Sequence, residues 1–134
     1  MIDTIDHVGI AVKSLNQAIK LYRDILGFRL EGVHTLSDRK VKVAFFAGGA
    51  KSRIELIESL GADSPVANFL ETRGEGIHHL AMKVENIEAA LEDFKRRGVR
   101  LIDEKPKSGV EGARIAFVHP KSTCGVLLEL VQKP

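Results

Sequence analysis

An internal repeat is the feature of this chain that most constrains its fold. Residues 5–30 read IDHVGIAVKSLNQAIKLYRDILGFRL, and residues 77–101 read IHHLAMKVENIEAALEDFKRRGVRL. When His7 is placed over His79, apolar residues coincide through most of the two segments. Self-similarity at a fixed period is typical of duplicated structural units. The chain is therefore expected to fold as two related modules.

Each copy also carries one glutamate within a short apolar segment. Glu55 is flanked by isoleucine and leucine, and Glu129 is flanked by two leucines. Because successive side chains of a strand point to opposite faces, each carboxylate leaves the face that its apolar neighbours occupy. A carboxylate in such a strand is costly unless something pairs with it. Taken singly, however, a strand glutamate usually faces solvent, and a buried histidine is usually a hydrogen-bonded core residue.

The joint pattern favours a metal site over coincidence. A duplication that repeats its histidine in the first strand and its glutamate in the last strand is expected to bring four donors together: His7, Glu55, His79 and Glu129. Two imidazoles and two carboxylates, without a thiolate, suit one divalent ion per chain, such as Co, Mn, Ni, Fe or Zn. By strand alternation, His78 is expected to point away from this site.

Composition excludes several classes of protein. With 134 residues, 44% hydrophobic and 28% charged, the chain is ordinary for a globular domain, and about 65 residues per module bury too little surface to be stable alone. No apolar run approaches a membrane span of about 20 residues, and no signal peptide is evident, so a cytoplasmic protein is expected. A net charge of +2 without tryptophan disfavours nucleic-acid binding. The lone Cys124 excludes a disulfide framework.

The pattern predicts an α+β fold of two tandem βαβββ modules. Ser14 with Gln17 forms a capping box that starts a helix, whose apolar face is Leu15, Ala18, Ile19, Tyr22 and Leu26, and Gly27 is its C-terminal cap. Asn86 is the N-cap of the corresponding second helix, which Gly98 ends. The strands are expected at about 5–12, 28–34, 40–47 and 53–59 in the first module, and at 77–84, 99–103, 113–119 and 125–132 in the second.

One domain, 1–134, is expected to consist of modules at about 1–60 and 77–134. A linker helix at about 61–76 joins them. In this segment Ser64 followed by Pro65 is a typical helix start, and Gly74 ends the pattern. Basic residues in the last third of the chain could bind an anionic ligand: Lys105, Lys107, Arg114 and Lys121.

At these residues the chain resembles the vicinal oxygen chelate superfamily, which includes glyoxalase I, extradiol dioxygenases and drug-sequestering proteins. Within that superfamily it most resembles the methylmalonyl-CoA epimerases. Three segments carry this resemblance: IDHVGIAV at 5–12, ADSPVANFLETRGEGIHHLAMKV at 62–84 and FVHPKSTCGVLLEL at 117–130. The linker helix, the RGEGIHH run and the HPKS loop are its more specific parts.

The resemblance implies roles for individual residues. His7, His79 and Glu129 match the family's metal ligands, and Glu55 falls at the remaining ligand position. It also implies sheets that curve round the metal, a homodimer, and interconversion of the two C2 epimers of methylmalonyl-CoA. For the coenzyme A phosphates, the HPKS loop suggests Lys121 and Ser122, with Lys107, Ser108 and Arg114 as further candidates.

Such a reaction needs two acid/base groups, because a proton leaves one face of C2 and returns to the other. Glu129 is one candidate. Some family members carry a carboxylate on the strand corresponding to 41–46, where this chain has Val43, which cannot move a proton. Lys42, Glu55, a metal-bound water or a loop residue remain open for the second role.

Two other functions fit the same fold. A glyoxalase I-like lactoylglutathione lyase, acting on a hemithioacetal, also begins by removing a proton beside a chelated carbonyl. A metal-free protein that binds a small molecule would have no need for two histidines and two glutamates at ligand positions. A purely structural dimeric domain is disfavoured for the same reason.

Overall fold

The computed structural model of the chain describes residues 2–49 and 51–134, which contain eight strands and three α-helices. In chain order these elements are β1 (Ile2–Val12), α1 (Leu15–Lys20), β2 (Leu30–Leu36), β3 (Val41–Ala47), β4 (Arg53–Ser59), α2 (Ala67–Arg73), β5 (Gly76–Val84), α3 (Ile87–Arg96), β6 (Lys107–Ser108), β7 (Arg114–Val118) and β8 (Leu128–Gln132). The predicted α+β fold with a twice-repeated βαβββ order is confirmed. Among the described residues, no helix is long and apolar enough to span a membrane.

The chain forms two compact units: His7–His78 is one, and His79–Pro134 with the residues up to Asp6 is the other. We call them the first unit and the second unit. The partition into modules at about 1–60 and 77–134 with a linker remains a prediction.

The sheet of the first unit is mixed. Its strands are ordered β2-β3-β4-β1, with β1 and β4 parallel and the other neighbours antiparallel. One face packs against α1 through a cluster of Val12, Leu15, Ala44, Phe46 and Leu56. Since side chains alternate along each strand, the other face carries the intervening residues, His7 and Glu55 among them.

Helix α1 begins as predicted but ends differently. The Gln17 N–H donates to Ser14 Oγ at 3.3 Å, and Gly27 has φ +83° at the end of the helical region. From Leu21 to Ile25 the chain forms a π-helical turn, in which Leu26 N–H donates to Leu21 O at 2.9 Å. The wider turn rotates later positions away from the sheet. Leu26 is 54% exposed, so its predicted place on the apolar face is wrong.

The second unit repeats this arrangement. Its strands are ordered β5-β8-β7-β6, with β5 and β8 parallel. Asn86 caps α3 as predicted, since Asn86 Oδ1 accepts the Ala89 N–H at 3.0 Å, and Gly98 follows the helix with φ +84°. One face of the sheet packs against α3 through a cluster of Val84, Ile87, Leu91, Ala116, Val118 and Leu130. Both helix-packed cores therefore come from repeat-related positions.

The last strand of each unit also supports the first turn of the unit's main helix. The Leu15 N–H donates to Glu58 Oε1 at 2.8 Å, and the Ile87 N–H donates to Gln132 Oε1 at 2.8 Å. A free N–H at a helix start needs an acceptor, and these side chains supply it. The repeat thus extends from strand pairing to helix capping.

The predicted strand at 99–103 is wrong. Only Leu101 forms an isolated bridge, to Val118, and the strand that pairs with β7 is the two-residue β6. The Asp103 carboxylate accepts the Phe117 N–H at 2.8 Å, so a side chain takes the place of a backbone acceptor. Pro106 has no N–H with which to continue strand pairing. A side chain and a proline therefore interrupt strand pairing that the sequence pattern favoured.

Helix α2 starts later than predicted. Its first residue is Ala67, and its N-cap Val66 makes no side-chain capping bond. Ser64 instead contacts Ser59, with 2.6 Å between the two hydroxyl oxygens, so the Ser64-Pro65 pair forms a turn before the helix. The predicted end is confirmed at Gly74, which has φ +77°.

Candidate metal centre

The first unit holds one histidine–glutamate pair. His7 lies on β1 and Glu55 on the parallel strand β4, where Glu55 is in register with Gly9. Both side chains lie on the sheet face away from α1, and each residue is only 5% exposed. His7 Nε2 lies 3.4 Å from Glu55 Oε1. The predicted strand alternation thus places this imidazole and this carboxylate side by side.

The second unit holds the corresponding pair. His79 lies on β5 and Glu129 on the parallel strand β8, where Glu129 is in register with Ala81. His79 Nε2 lies 3.2 Å from Glu129 Oε1, and the two residues are 4% and 5% exposed. The duplication is therefore preserved at the level of side-chain contacts.

A phenylalanine packs edge-on against the histidine of each pair. The Phe45 ring lies 5.7 Å from the His7 ring at 82°, and the Phe117 ring lies 5.9 Å from the His79 ring at 89°. Each phenylalanine is also the cross-strand neighbour of its unit's glutamate. These rings restrict how the imidazoles can turn. We did not assign them to the site from sequence, although their repeat-related positions and strand alternation pointed to it.

One donor atom from each of His7, His79 and Glu129 lies within 4.8 Å of the others, and all three residues are buried. Ligands at about 2.1 Å from one ion lie at most about 4.2 Å apart, and adjacent ligands roughly 3.0–3.4 Å apart. The 3.2 Å between His79 Nε2 and Glu129 Oε1, two members of this group, matches that adjacent spacing. Two imidazoles and a carboxylate fit a borderline or hard divalent cation. This group could hold a metal ion.

Glu55 is in contact with His7 but is not one of the three mutually close donors found among the described residues. The four predicted ligands are thus divided into a close group of three and a carboxylate beside one of them. His78, which was expected to point elsewhere, packs against the Phe69 ring at 5.1 Å between centroids.

The candidates for a second proton carrier are separated by the faces of β3. Lys42 is in register with Glu58, which caps α1, so Lys42 lies on the helix-packed face of the sheet. Val43 and Phe45 lie on the opposite face, with His7 and Glu55. Val43 is 2% exposed. Among Lys42, Val43 and Glu55, Glu55 alone combines a titratable group with the face that carries the candidate ligand His7.

The residues proposed to bind phosphate do not form one group. Lys121 and Ser122 lie in a short turn after β7, where Lys121 N–H donates to His119 Nδ1 at 3.1 Å and Ser122 Oγ accepts the Arg100 N–H at 2.8 Å. Arg114 lies at the other end of β7, roughly 13 Å along a strand of this length. Its guanidinium contacts Glu88 at 2.9 Å.

Two cations, Arg100 and Lys121, act on His119 at the turn after β7. Partial burial and the charges of Arg100 and Lys121 lower the pKa of His119 below its usual range. Cations that disfavour a protonated imidazole also favour an anion bound nearby.

Comparisons with known proteins agree with this geometry. Residues 6–117 match the family model of the Glyoxalase/Bleomycin resistance protein/Dioxygenase superfamily. An ethylmalonyl-CoA/methylmalonyl-CoA epimerase of Cereibacter sphaeroides is 40% identical, over 98% of this chain and 99% of that protein. The crystal structure of methylmalonyl-CoA epimerase from Mycobacterium tuberculosis is 39% identical with a TM-score of 0.94, covering 99% of this chain and 89% of that one. A structure of methylmalonyl-CoA epimerase in complex with methylmalonyl-CoA and NH4+ is 34% identical with a TM-score of 0.93, covering 99% and 96%.

Proposed function

Because this chain belongs to the glyoxalase/bleomycin resistance protein/dioxygenase superfamily, and within it to the methylmalonyl-CoA epimerases, we propose that it interconverts the two C2 epimers of methylmalonyl-CoA. The observation that carries the proposal is the buried group of His7, His79 and Glu129, with Glu55 beside it. Similarity over nearly the whole chain, including a relative with bound methylmalonyl-CoA, supports the substrate.

His7, His79 and Glu129 would hold the ion, with Glu55 as a further, weaker donor. When bound, a divalent ion acts as a Lewis acid and stabilises negative charge on the thioester oxygen as the C2 proton leaves. The buried surroundings of these residues exclude water and strengthen that interaction. Co, Mn, Ni and Zn all suit this donor set.

Glu55 and Glu129 are the proposed proton carriers. One carboxylate takes the C2 proton, and the other, protonated, returns a proton to the opposite face, so that the pair exchanges roles in the reverse reaction. Glu55 is the better candidate for free proton transfer because it stands outside the three close donors. Lys42 is unsuitable because it lies on the helix-packed face.

For the coenzyme A portion, we propose the turn that carries Lys121 and Ser122. Lys121 is exposed there, and after partial burial the charges of Arg100 and Lys121 contribute to the lowered pKa of His119. Arg114 is a weaker candidate because it lies at the far end of β7 and contacts Glu88.

Deuterium incorporation at C2 tests the function. Metal-loaded protein in heavy water should incorporate deuterium into methylmalonyl-CoA and interconvert its epimers, and chelator treatment should abolish both until metal is restored. A methylglyoxal–glutathione hemithioacetal serves as the second substrate. Turnover of the hemithioacetal without exchange into methylmalonyl-CoA would favour the lyase, and absence of bound metal in a well-folded protein would favour a binding protein.

Three finer features are predictions from sequence and family resemblance. A homodimer is expected, and light scattering after size exclusion checks it. A cytoplasmic location is expected, which cell fractionation checks. Cobalt is a candidate for the native ion, and metal analysis of protein purified without added metal identifies it.

A further inference from the structure

Arg53 is a cation beside the histidine–glutamate pair of the first unit. It lies on β4, two residues before Glu55, so the two side chains leave the same face of the sheet. Its register partner on the parallel strand β1 is His7. It therefore adjoins both members of the pair.

The guanidinium group of Arg53 is held in place by an aromatic ring. Arg53 Cζ lies 3.9 Å from the centroid of Phe45, the same ring that packs edge-on against His7. A cation over a ring face is attracted by the ring's quadrupole and loses much of its freedom before any ligand binds. Arg53 is also partly buried, which strengthens its electrostatic interactions.

Two other cations contact phenylalanines in looser ways. Lys107 Nζ lies 5.2 Å from the Phe117 centroid and also contacts Asp103 at 3.3 Å. Arg73 Cζ lies 5.7 Å from the centroid of Phe69, a ring that packs against His78 rather than against His7. The contact of Arg53 is the shortest of these three and the one next to Glu55.

The chemistry of the guanidinium group indicates what Arg53 would bind. A guanidinium carries five N–H donors in a planar fork whose geometry matches that of a carboxylate.

We propose that Arg53 receives the free carboxylate of the methylmalonyl group and thereby selects 2-carboxyacyl thioesters over simple acyl thioesters. This inference rests on the proposed function and names the residue that sets its substrate class. Arg53 acts as a specificity determinant: it holds the carboxylate while the glutamates move the proton.

Binding of two thioesters that differ only in this group tests the proposal. Propionyl-CoA is methylmalonyl-CoA without the carboxylate, and isothermal titration gives both dissociation constants for metal-loaded protein. Replacing Arg53→Gln should weaken methylmalonyl-CoA binding roughly 10- to 100-fold, the range for a charge-assisted hydrogen-bonded pair, and change propionyl-CoA binding by less than about 3-fold. Arg53→Lys should give a smaller but still selective loss, because the charge remains and the fork is removed.

Arg73→Gln is the matched control, since it removes another arginine–phenylalanine contact of the first unit and should leave both constants unchanged. The inference would be overturned if Arg53→Gln weakened binding of both thioesters equally or weakened binding of neither. Deuterium exchange by the wild-type protein would still support the proposed function in that case. If Arg53→Gln does not fold, Arg53→Lys decides by the same selectivity. A wild-type protein without exchange overturns the function itself.

Discussion

Glu55 and Glu129 are chemically identical, buried to the same extent and placed beside a histidine in the same way, yet they differ in their relation to the three close donors. Glu129 belongs to the group of three close donors, and Glu55 does not. Replacing each in turn by glutamine removes one negative charge and preserves the shape of the side chain. The two variants are therefore a matched pair that measures how much each carboxylate contributes to metal binding and to proton transfer.

The expected magnitudes follow from these positions. Glu129→Gln removes the charged ligand from a group whose other members are imidazoles. Losing a partner that only orients a ligand typically weakens metal binding 10- to 100-fold, so loss of this ligand should weaken it by at least about 100-fold. Glu55→Gln retains an amide oxygen outside the close group and should weaken metal binding by less than about 10-fold. Because an amide cannot carry the proton to or from one face of C2, interconversion of the two epimers at saturating metal should fall roughly 100- to 10,000-fold.

Both quantities can be measured on the same preparations. Titration of metal-depleted protein with Co²⁺ against a chelating dye gives the affinity, and interconversion of the two epimers of methylmalonyl-CoA at saturating Co²⁺ gives the rate of epimerisation. Thermal unfolding of the metal-free forms checks that both variants fold. Equal loss of metal affinity in the two variants would refute the distinction between the three close ligands and Glu55. Full epimerisation activity of Glu55→Gln would refute the role of Glu55 as a proton carrier.

Three further predictions concern the fold and its pH dependence. Gly109→Ala should lower the free energy of unfolding by about 1–3 kcal/mol, because a Cβ there would lie 2.8 Å from an Ile115 methyl carbon, whereas Gly76→Ala meets nothing within 4 Å and should be tolerated. Asn86→Ala should cost about 1 kcal/mol in denaturant unfolding by removing the cap of α3, and Asn86→Ser should restore most of it. The lowered pKa of His119 means that the unfolded chain takes up its proton first as pH falls. Stability should therefore decline below about pH 6.5, and His119→Gln should lessen that decline; an NMR titration with a pKa at or above the ordinary value would contradict it.

The sequence by itself determined the features that depend on local backbone periods. Strand alternation placed His7, Glu55, His79 and Glu129 on one side of their strands, because side chains of a strand point alternately to its two faces whatever surrounds them. Helix caps were equally readable at Ser14 and Asn86, where one side chain satisfies a nearby N–H. The duplication then related the two halves, and it holds down to the 3.2 and 3.4 Å contacts within the pairs.

Other features were decided only by the tertiary structure. The π-helical turn that places Leu26 outward depends on hydrogen bonds that compete at similar energies. The interruption of strand pairing near residue 101 depends on the Asp103 carboxylate, whose partner Phe117 lies far along the chain. Strand parity indicates the face that a side chain leaves, but distances between donors depend on how strands are packed. For that reason coordinates were needed to show that Glu55 contacts His7 without joining the three mutually close donors, and that Arg53 stacks on Phe45.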